Sequence, residues 1–442
     1  GGESSDEIEK EGYGGPEDLV KDLKEMGPTY IKLGQLLSTR PDLLPEPYLK
    51  ALAALQDDVE SIPFKEVQQI VEREIDTRIS KAFQSFDEKP LASASIGQVH
   101  KAVLRSGKQV AVKIQRPGIR EKFLEDLDTL KTLTDLAVKH SKAARKYAAD
   151  EILHHLRQVL LEELDYSLES RNLITLGENL RSFEHILIPQ PVPDYSTSRV
   201  LTMEFVEGQK ITSIDSLTII ETDFKSIVDE LVKAYLQQII VDGFVHADPH
   251  PGNVHFTRDK KIALMDLGMV ARFSPRMQEE LLKLLIAISQ SNGDTITDVL
   301  LEISEYDEDA DLKAFRRAIN QKVMGGQSRQ AKDLETGRLL IRMNRIAADN
   351  GVRVAVQLNM LGKILLNMDQ IVAVLAPEYD LQNAIRDNVQ DIMQSRMKNE
   401  LKPENLLGVL VETKRLAKNL PERLNRITER LASNEFEIRV NA

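Results

Sequence analysis

The spacing of apolar residues predicts helices in the first part of the chain. Apolar side chains recur at helical intervals in residues 16–26, Gly27-Pro28 interrupts the pattern, and a second helix is predicted from Thr29. Helical periodicity returns in residues 64–83. We therefore predict a helical extension over residues 16–85, preceded in residues 1–15 by an acidic, disordered leader or a cloning remnant.

The residue types change after position 85 and predict a β-hairpin. Residues 99–104 and 109–115 alternate in polarity and favour β-branched side chains, and Arg105-Ser106-Gly107-Lys108 supplies the turn between them. Long helices are expected in residues 119–142 and 150–180, and a further strand in residues 200–206.

The remainder of the chain is predicted to be mainly helical. Short strands are expected at residues 253–256 and 261–265, and a helix follows directly after Phe273. Residues 406–431 have the pattern of a helix with several basic side chains, and Phe436, Ile438 and Val440 alternate as in a strand.

Composition excludes several classes of protein. The 442 residues contain 58 Lys and Arg against 70 Asp and Glu, and the formal charge of −12 argues against nucleic acid as a main partner. There is no cysteine, which excludes disulfides, thiolate catalysis and Fe–S clusters and fits a reducing, cytosol-facing location. No window of about 18 apolar residues stands out, so no membrane span is predicted.

The first candidate for chemistry is the lysine that ends the strand Val110-Ala111-Val112-Lys113. Fourteen residues before Lys113, Val99 closes a run that matches the kinase loop G-x-G-x-x-G-x-V, with alanine in place of the first two glycines. Alone, such a lysine is most often solvated and such a run is most often a plain turn. The loop residues are Ala92, Ser93, Ala94, Ser95, Ile96, Gly97 and Val99.

An asparagine and two aspartates complete a kinase-like set. Asp248 and Asn253 lie five positions apart, and Asp266-Leu267-Gly268 begins thirteen positions after Asn253. In kinases the first Asp accepts a hydroxyl proton or orients the nucleophile, and the Asn and the second Asp hold metal ions on the phosphates. Oxygen ligands suit Mg²⁺ or Mn²⁺. The order and spacing of these features predict a site for ATP or ADP with Mg²⁺ or Mn²⁺.

A metal hydrolase is the competing interpretation of the same loop, because its imidazoles and carboxylate would suit zinc or iron. It leaves Lys113, Asn253 and Asp266 without a role, and the prolines on either side of His250 favour a stiff extended loop over a regular ligand helix. We therefore rank it lower. Its ligands would be His246, Asp248, His250 and His255.

These motifs resemble the UbiB (aarF-domain) family of atypical, kinase-like proteins over roughly residues 20–380. Lys32-Leu33-Gly34-Gln35 matches the family's K-x-G-Q, Glu163-Leu164-Asp165 its E-x-D, and residues 92–98 and 246–253 its alanine-rich and catalytic loops. The resemblance implies an α+β, largely helical, two-lobed protein-kinase-like fold with the extension packed across the cleft. The lobes would be residues 86–207 and 208–385, followed by a C-terminal helical segment, 386–442.

The resemblance also assigns roles to individual residues. Lys113 would hold the α- and β-phosphates with Glu169 as its ion-pair partner, and Asp248 would be the catalytic aspartate. Asn253 and Asp266 would bind the metal ion. Ala111 and the backbone of Glu204 and Val206, in the strand that leads to the hinge, would contact adenine; Lys32 and Gln35 would lie near the nucleotide, with Lys32 paired to Glu163 and Asp165.

Three functions follow from the resemblance. The first is ATP hydrolysis or phosphorylation of a small molecule or lipid, in isoprenoid quinone (ubiquinone-type) biosynthesis or membrane lipid homeostasis. The others are a Ser/Thr protein kinase acting in trans and a nucleotide-gated lipid-binding chaperone. Only five residues separate Gly268 from Ser274-Pro275 and no A-P-E motif follows, so the segment that holds a peptide in protein kinases is missing.

The same resemblance suggests partners and a location. A membrane surface, quinone precursors or other lipids and quinone-biosynthesis proteins are expected beside the adenine nucleotide. The family often carries C-terminal membrane segments, so we expect a cytoplasmic protein that is peripheral to, or in a longer form anchored at, the inner membrane. The basic helix predicted at residues 406–431 is a candidate for interfacial binding.

Overall fold

The computed structural model describes residues 15–38, 40, 43–53, 55, 60–140, 149–306, 309–326 and 336–400. Contacts divide the chain into two units, Gly1–Ile385 and Arg386–Ala442. The second unit is described over residues 386–400, which belong to the helix Leu381–Glu400. The helix expected at residues 406–431 and the strand expected at residues 436–440 lie outside the described residues.

Three short helices form the extension: α1 (Pro16–Met26), α2 (Pro28–Leu37) and α3 (Glu46–Ala53). Their shared core contains the buried side chains of Leu23, Ile31, Leu52 and Leu55. Gly34 lies where α2 approaches this core, and a Cβ atom there would be 2.5 Å from Leu55 Cδ1. A larger residue at this position of the K-x-G-Q motif would force the leucine side chains of this core to shift.

The helix predicted over residues 64–83 is shorter in the structure. It ends as α4 (Phe64–Glu74), and Asp76, with a φ of 50°, turns the chain into the single turn α5 (Ile79–Ala82). From Phe83 the chain is extended, because Phe83 is buried against strand neighbours and helix α4. The prediction was wrong here because apolar residues at helical and at strand spacing overlap in this short stretch.

A five-stranded antiparallel sheet follows, with strand order β1-β3-β4-β6 and β2 paired to β3. The predicted hairpin is confirmed, with Val99 opposite Lys113. Gly107, with a φ of 84°, occupies the left-handed position in its turn. The strands are β1 (Phe83–Phe86), β2 (Ala92–Ser93), β3 (Gly97–Leu104), β4 (Gln109–Gln115), β5 (Ile186–Leu187) and β6 (Val200–Glu204), of which β5 belongs to a second sheet.

The helices between β4 and β5 are α6 (Ile119–His140), α7 (Ala149–Glu163) and α8 (Tyr166–Asn179). The continuous helix predicted over residues 150–180 is interrupted at Leu164 and Asp165, because the Asp165 carboxylate accepts a hydrogen bond from Ser167 N and caps α8. Leu33 and Leu36 of α2 pack against the core shared by α6 and α7. The extension is thus joined to the helices beside the sheet.

The second lobe is mostly helical and carries short sheets. Strands β5, β10, β9 and β7 form one sheet, β8 pairs with β11, and β12 pairs with β13. The strands expected near residues 253–256 and 261–265 are confirmed. These elements are β7 (Gly208–Lys210), β8 (Phe244–His246), β9 (Val254–Thr257), β10 (Ile262–Leu264), β11 (Val270–Arg272), β12 (Ser304–Tyr306) and β13 (Val352–Val354).

The remaining helices lie between residues 216 and 400. They are α9 (Ser216–Glu221), α10 (Phe224–Leu236), α11 (Pro275–Ser289), α12 (Gly293–Glu302), α13 (Leu312–Gly326), α14 (Thr336–Asp349), α15 (Val356–Leu375) and α16 (Leu381–Glu400). Helix α15 has the length and apolarity of a bilayer-crossing helix, which the sequence pattern did not predict, and more than half of it is buried inside the protein. Core helices of globular lobes share these properties.

Candidate active site

The strand β4 and the helix α8 bring a buried ion pair into the cleft. Lys113 Nζ lies 2.8 Å from Glu169 Oε2 and 3.6 Å from Asp266 Oδ1. Glu169 projects from the first turn of α8, and its side chain is 4% exposed. The ion pair expected between Lys113 and Glu169 is therefore present. It also places the lysine within reach of the aspartate of Asp266-Leu267-Gly268.

Burial and charge oppose one another in this group. Burial acts to lower the pKa of Lys113, but the charges of Asp266 and Glu169 outweigh it and raise that pKa well above its usual value. Burial raises the pKa of Glu169, and Lys113 counteracts part of the rise. Lys113 in turn lowers the pKa of Asp266, against the effect of burial. The cation and the Asp266 carboxylate thus keep their charges over a wide pH range.

Helix α8 also fixes the loop that carries Asp266. Asn172, one turn after Glu169, donates from Nδ2 to the carbonyl oxygen of Leu267 at 2.9 Å, and the Leu267 side chain is fully buried. Asp266 itself has a φ of 57°, in the left-handed region that is uncommon for residues other than glycine. Its side chain remains half exposed. The backbone of the loop is therefore held so that the carboxylate points into accessible space.

Asp248 receives two side chains from the distant helix α15. Lys363 Nζ lies 3.1 Å from Asp248 Oδ1, and Asn367 Nδ2 donates to the same oxygen at 3.4 Å. Lys363 and Asn367 are four residues apart and so share a helix face. About a third of each of the Asp248 and Lys363 side chains is exposed, so the pair is open to a ligand in the cleft.

The donor set fits a hard divalent cation. The side-chain amide of Asn253 makes no hydrogen bond within the described part of the chain, while its backbone is fixed by His250 O and Met265 N. Asp266 offers an ionised, half-exposed carboxylate. Two protein oxygens with the balance from water and phosphate are typical of Mg²⁺ sites on nucleotides. Asn253 and Asp266 would hold such an ion.

His246 and His250, in the loop expected to be catalytic, make hydrogen-bond contacts that stabilise the local structure. His246 is fully buried, its Nδ1 lies 3.0 Å from Tyr235 Oη, and its Nε2 lies 3.2 Å from the backbone oxygen of Asp266. His250 Nδ1 accepts from Gly252 N at 3.0 Å and stiffens the turn. Among the residues that the structure describes, no three His, Cys, Asp or Glu side chains lie together as metal ligands. The hydrolase interpretation therefore loses its ligand set.

The alanine-rich loop is a tight connection between β2 and β3. Ala94 N donates to Gly97 O at 2.8 Å, and Arg116 Nε donates to Ala94 O at 2.7 Å. A Cβ atom on Gly97 would lie 2.5 Å from Tyr166 Oη and would also collide with Ile114 O. Glycine is thus required where the loop enters β3. Ala94 has a methyl side chain at the position where the kinase loop G-x-G-x-x-G-x-V has its second glycine.

The strand that leads to the hinge lies beside β4, with Ala111 opposite Met203. Glu204 N donates to Gln190 O at 2.9 Å and Phe205 N to Gln109 O at 3.2 Å. In the described part of the chain the N–H of Val206 has no acceptor, so it remains available to a ligand. The Glu204 side chain is occupied by Lys108, 2.7 Å away.

The extension reaches this cleft through Lys32. Its Nζ atom lies 3.0 Å from both carboxylate oxygens of Glu163, and the two side chains are 17% and 16% exposed. The expected contact between Lys32 and Glu163 is confirmed, whereas Asp165 caps α8. The charge of Lys32, after that of Lys113, also helps to lower the pKa of Asp266. Gln35 Nε2 donates to Leu55 O at 3.2 Å, within the extension.

Sequence reasoning missed three residues of this site: Asn172, Lys363 and Asn367. Asn172 could have been found from its position three residues after Glu169, since such pairs share a helix face. Lys363 and Asn367 are polar residues one turn apart in a mainly apolar helix, which is a signal of a buried polar contact. Nothing in the sequence names Asp248 as their partner.

Comparison with known proteins agrees with this geometry. Residues 54–300 match the model of the ABC1 atypical kinase-like domain. The chain is 32% identical over 399 residues to the probable protein kinase UbiB of Azotobacter vinelandii, covering 89% of this chain and 74% of that protein. It is 34% identical over 304 residues to ACTIVITY OF BC1 COMPLEX KINASE 7 of Arabidopsis thaliana, covering 68% of this chain and 43% of that protein.

A solved structure shares the fold. Rv3197 of Mycobacterium tuberculosis, determined in complex with erythromycin, superposes with a TM-score of 0.50 at 24% identity, over 84% of this chain and 98% of that one. The two lobes and the cleft between them define a kinase-like protein. The chain belongs to the ABC1 atypical kinase-like family, and the resemblance to UbiB proteins is confirmed.

Proposed function

We propose that this protein binds ATP or ADP with Mg²⁺ or Mn²⁺ in the cleft and transfers the γ-phosphoryl group of ATP to water, a small molecule or a lipid, with ADP as the leaving group. The observation that carries the proposal is the position of Lys113, 2.8 Å from Glu169 and 3.6 Å from Asp266. In kinases, a lysine held between two such carboxylates binds the phosphates beside the metal ion.

Each residue of the candidate site then has a defined role. Lys113 would neutralise the α- and β-phosphates, Asn253 and Asp266 would hold the ion, and Asp248 would orient the attacking hydroxyl or water. The ion would neutralise charge on the phosphates and fix their geometry. Ala111 and the backbone of Glu204 and Val206 would meet the adenine, and the loop of residues 92–99 would cover the phosphates.

The acceptor is proposed to be small because the surface that would hold a peptide is short. Ser274 caps α11, whose first residue is Pro275, and β11 is occupied by its pairing with β8. Lys32 forms an ion pair with Glu163 and so holds the extension close to Asp266. These contacts favour the small-molecule or lipid reaction over phosphorylation of a protein in trans.

Membership in the same family as UbiB and the ABC1 kinases supports a pathway and a location. We infer a role in isoprenoid quinone biosynthesis or membrane lipid homeostasis, at the cytoplasmic face of the inner membrane, with quinone precursors and quinone-biosynthesis proteins as partners. Gln35, Glu163 and Asp165 would regulate the cleft together with Lys32, by fixing the extension and the start of α8.

A phosphate-release assay tests the reaction. Wild type and Asp248→Asn are compared with Mg²⁺ and ATP, alone, with anionic vesicles and with quinone-like phenols, and products are screened for transferred label. The proposal requires turnover that falls by about 10²-fold or more in Asp248→Asn. The matched control is Asp259→Asn, an exposed residue in the turn between β9 and β10. Equal turnover in both variants would contradict it.

A further inference from the structure

A cavity lies in the first lobe that shares no residue with the nucleotide site. It is open to solvent and has a volume of about 220 Å³ between α4, the turn that joins β4 to α6, and the start of β6. Four arginines from these three places line it, with one carboxylate: Arg73, Arg116, Arg120, Arg199 and Glu121. The charged groups of the lining therefore sum to a net charge of about +3 in a chain whose net charge is −12.

The arginines lack counter-ions. Within the described residues, the side chains of Arg73, Arg120 and Arg199 make no ion pair or hydrogen bond. Arg116 donates only to backbone oxygens, from Nε to Ala94 and from Nη2 to Glu60. The side chains of Arg73 and Arg120 are exposed, and those of Arg116 and Arg199 are partly buried. Clustered cations without a partner repel one another, and an anion in the cavity would reduce that repulsion.

From this arrangement we propose that the cavity is a binding site for a phosphate-type anion. Guanidinium groups offer pairs of N–H donors in a plane, a geometry that matches phosphate oxygens, and several of them suit a multiply charged group. The volume is below the range of about 300–1000 Å³ found for whole drug-sized ligands. The cavity therefore fits a phosphate, a pyrophosphate or the phosphate of a lipid head group rather than a nucleotide.

The site is separate from the cleft but touches its edge. Arg116 holds Ala94 O, in the loop proposed to cover the nucleotide phosphates. Arg73 and Arg199 have no such contact, so they can be changed without disturbing that loop. They are the residues on which the test depends.

The test is calorimetric titration of pyrophosphate in EDTA, which removes divalent ions from the cleft. The double variant Arg73→Gln/Arg199→Gln is compared with Arg181→Gln/Arg317→Gln, which removes the same charge from two exposed positions. Pyrophosphate affinity should fall at least tenfold in the first variant and stay unchanged in the second. Both variants should keep the melting temperature and the affinity for ADP with Mg²⁺ of the wild type.

Vesicles identify the source of the phosphate group. If phosphatidylglycerol vesicles retain the wild type and the control variant but release the cavity variant, while phosphatidylcholine vesicles retain none of them, the ligand is a lipid head group. If pyrophosphate binds but vesicles do not, the ligand is a soluble phosphate compound. The proposal is overturned if pyrophosphate does not bind, or binds all three proteins equally.

Discussion

Lys363 on α15 forms an ion pair with Asp248 in the catalytic loop, with 3.1 Å between Nζ and Oδ1. Asn367 contacts the same carboxylate oxygen from one turn further along, across 119 positions of sequence. One oxygen of Asp248 is thereby fixed by two donors, which leaves the other free to face an acceptor. Helix α15 consequently contributes to the candidate active site as well as to the core.

Loss of this contact should impair turnover more than nucleotide binding. Lys363→Met would free the Asp248 carboxylate to rotate, and misplacement of a catalytic group by about 1 Å can cost 10²-fold in rate. We expect kcat for phosphate release to fall by about that factor while the Kd of ADP with Mg²⁺ stays within twofold.

Two further variants sharpen this prediction. Lys363→Arg should restore part of kcat, since it keeps a cation near Asp248, and Lys313→Met, at an exposed position on α13, should leave kcat unchanged. A Lys363→Met protein with full kcat would show that the ion pair has no role in turnover.

The pair between Lys32 and Glu163 should hold the extension in place. Both side chains are largely buried, so removing one partner leaves an uncompensated charge, at a cost of about 3–5 kcal/mol for a buried pair. We expect Lys32→Ala to lower the free energy of unfolding and to permit self-phosphorylation, measured by urea denaturation and by labelling with ATP.

A double-mutant cycle isolates this contact. Lys32→Met and Glu163→Gln should each destabilise the protein, and the double variant should be less destabilised than the sum of the two. Lys21→Ala, in an exposed pair with Glu25, serves as control. Strict additivity of the two changes would mean that the contact does not hold the extension.

Alanine in the phosphate loop should set the balance between ATP and ADP. Ala94→Gly would free the backbone at the residue whose N–H and carbonyl are both fixed, and would let phosphate approach closely. The ratio of the two dissociation constants should change, or self-phosphorylation should appear. Ala376→Gly, just past the end of α15, is the control. Equal ratios of the two dissociation constants in wild type and both variants would show that the loop is only a turn.

Acid should destabilise the protein partly through His246. Burial lowers the pKa of His246 below its usual value of about 6.5, so the unfolded chain binds a proton that the folded one does not. This contribution is complete above pH 6.5 and is lost as the pH falls toward the folded pKa, by up to about 1.4 kcal/mol per pH unit.

Denaturation between pH 7.5 and 5 measures that slope. It should be shallower in His246→Gln than in wild type and unchanged in His154→Gln, at an exposed position. An equal slope in all three proteins would show that other groups account for the acid sensitivity.

The sequence predicted those parts of the fold that depend on local pattern. The hairpin of β3 and β4 follows from strand alternation and from Gly107 in its turn, and α11 begins at a Ser-Pro pair. The helix break at Asp165 was missed, because a capping side chain competes with helical spacing that continues on both sides. The strand at Phe83 was missed because its partners lie elsewhere in the chain.

The residues of the candidate site also fall into those that a local sequence pattern predicts and those that depend on packing. Lys113, Asp248, Asn253 and Asp266 could be predicted because fixed spacings between them accompany their chemistry. Lys363 could not, because contact with Asp248 depends on how α15 packs in the folded lobe. The arginine cavity also depends on packing, since Arg73, Arg116 and Arg199 come from separate elements with no shared motif.

The most direct test of the account is the thermal stabilisation by ADP with and without Mg²⁺. Ligand at a hundred times its Kd adds about 2.7 kcal/mol of stability. We predict that ADP with Mg²⁺ raises the melting temperature of wild type and of Asp259→Asn, and that EDTA or Asp266→Asn removes most of the increase. The same increase in Asp266→Asn and in wild type, or no dependence on Mg²⁺, would contradict the assignment of this cleft as a metal–nucleotide site.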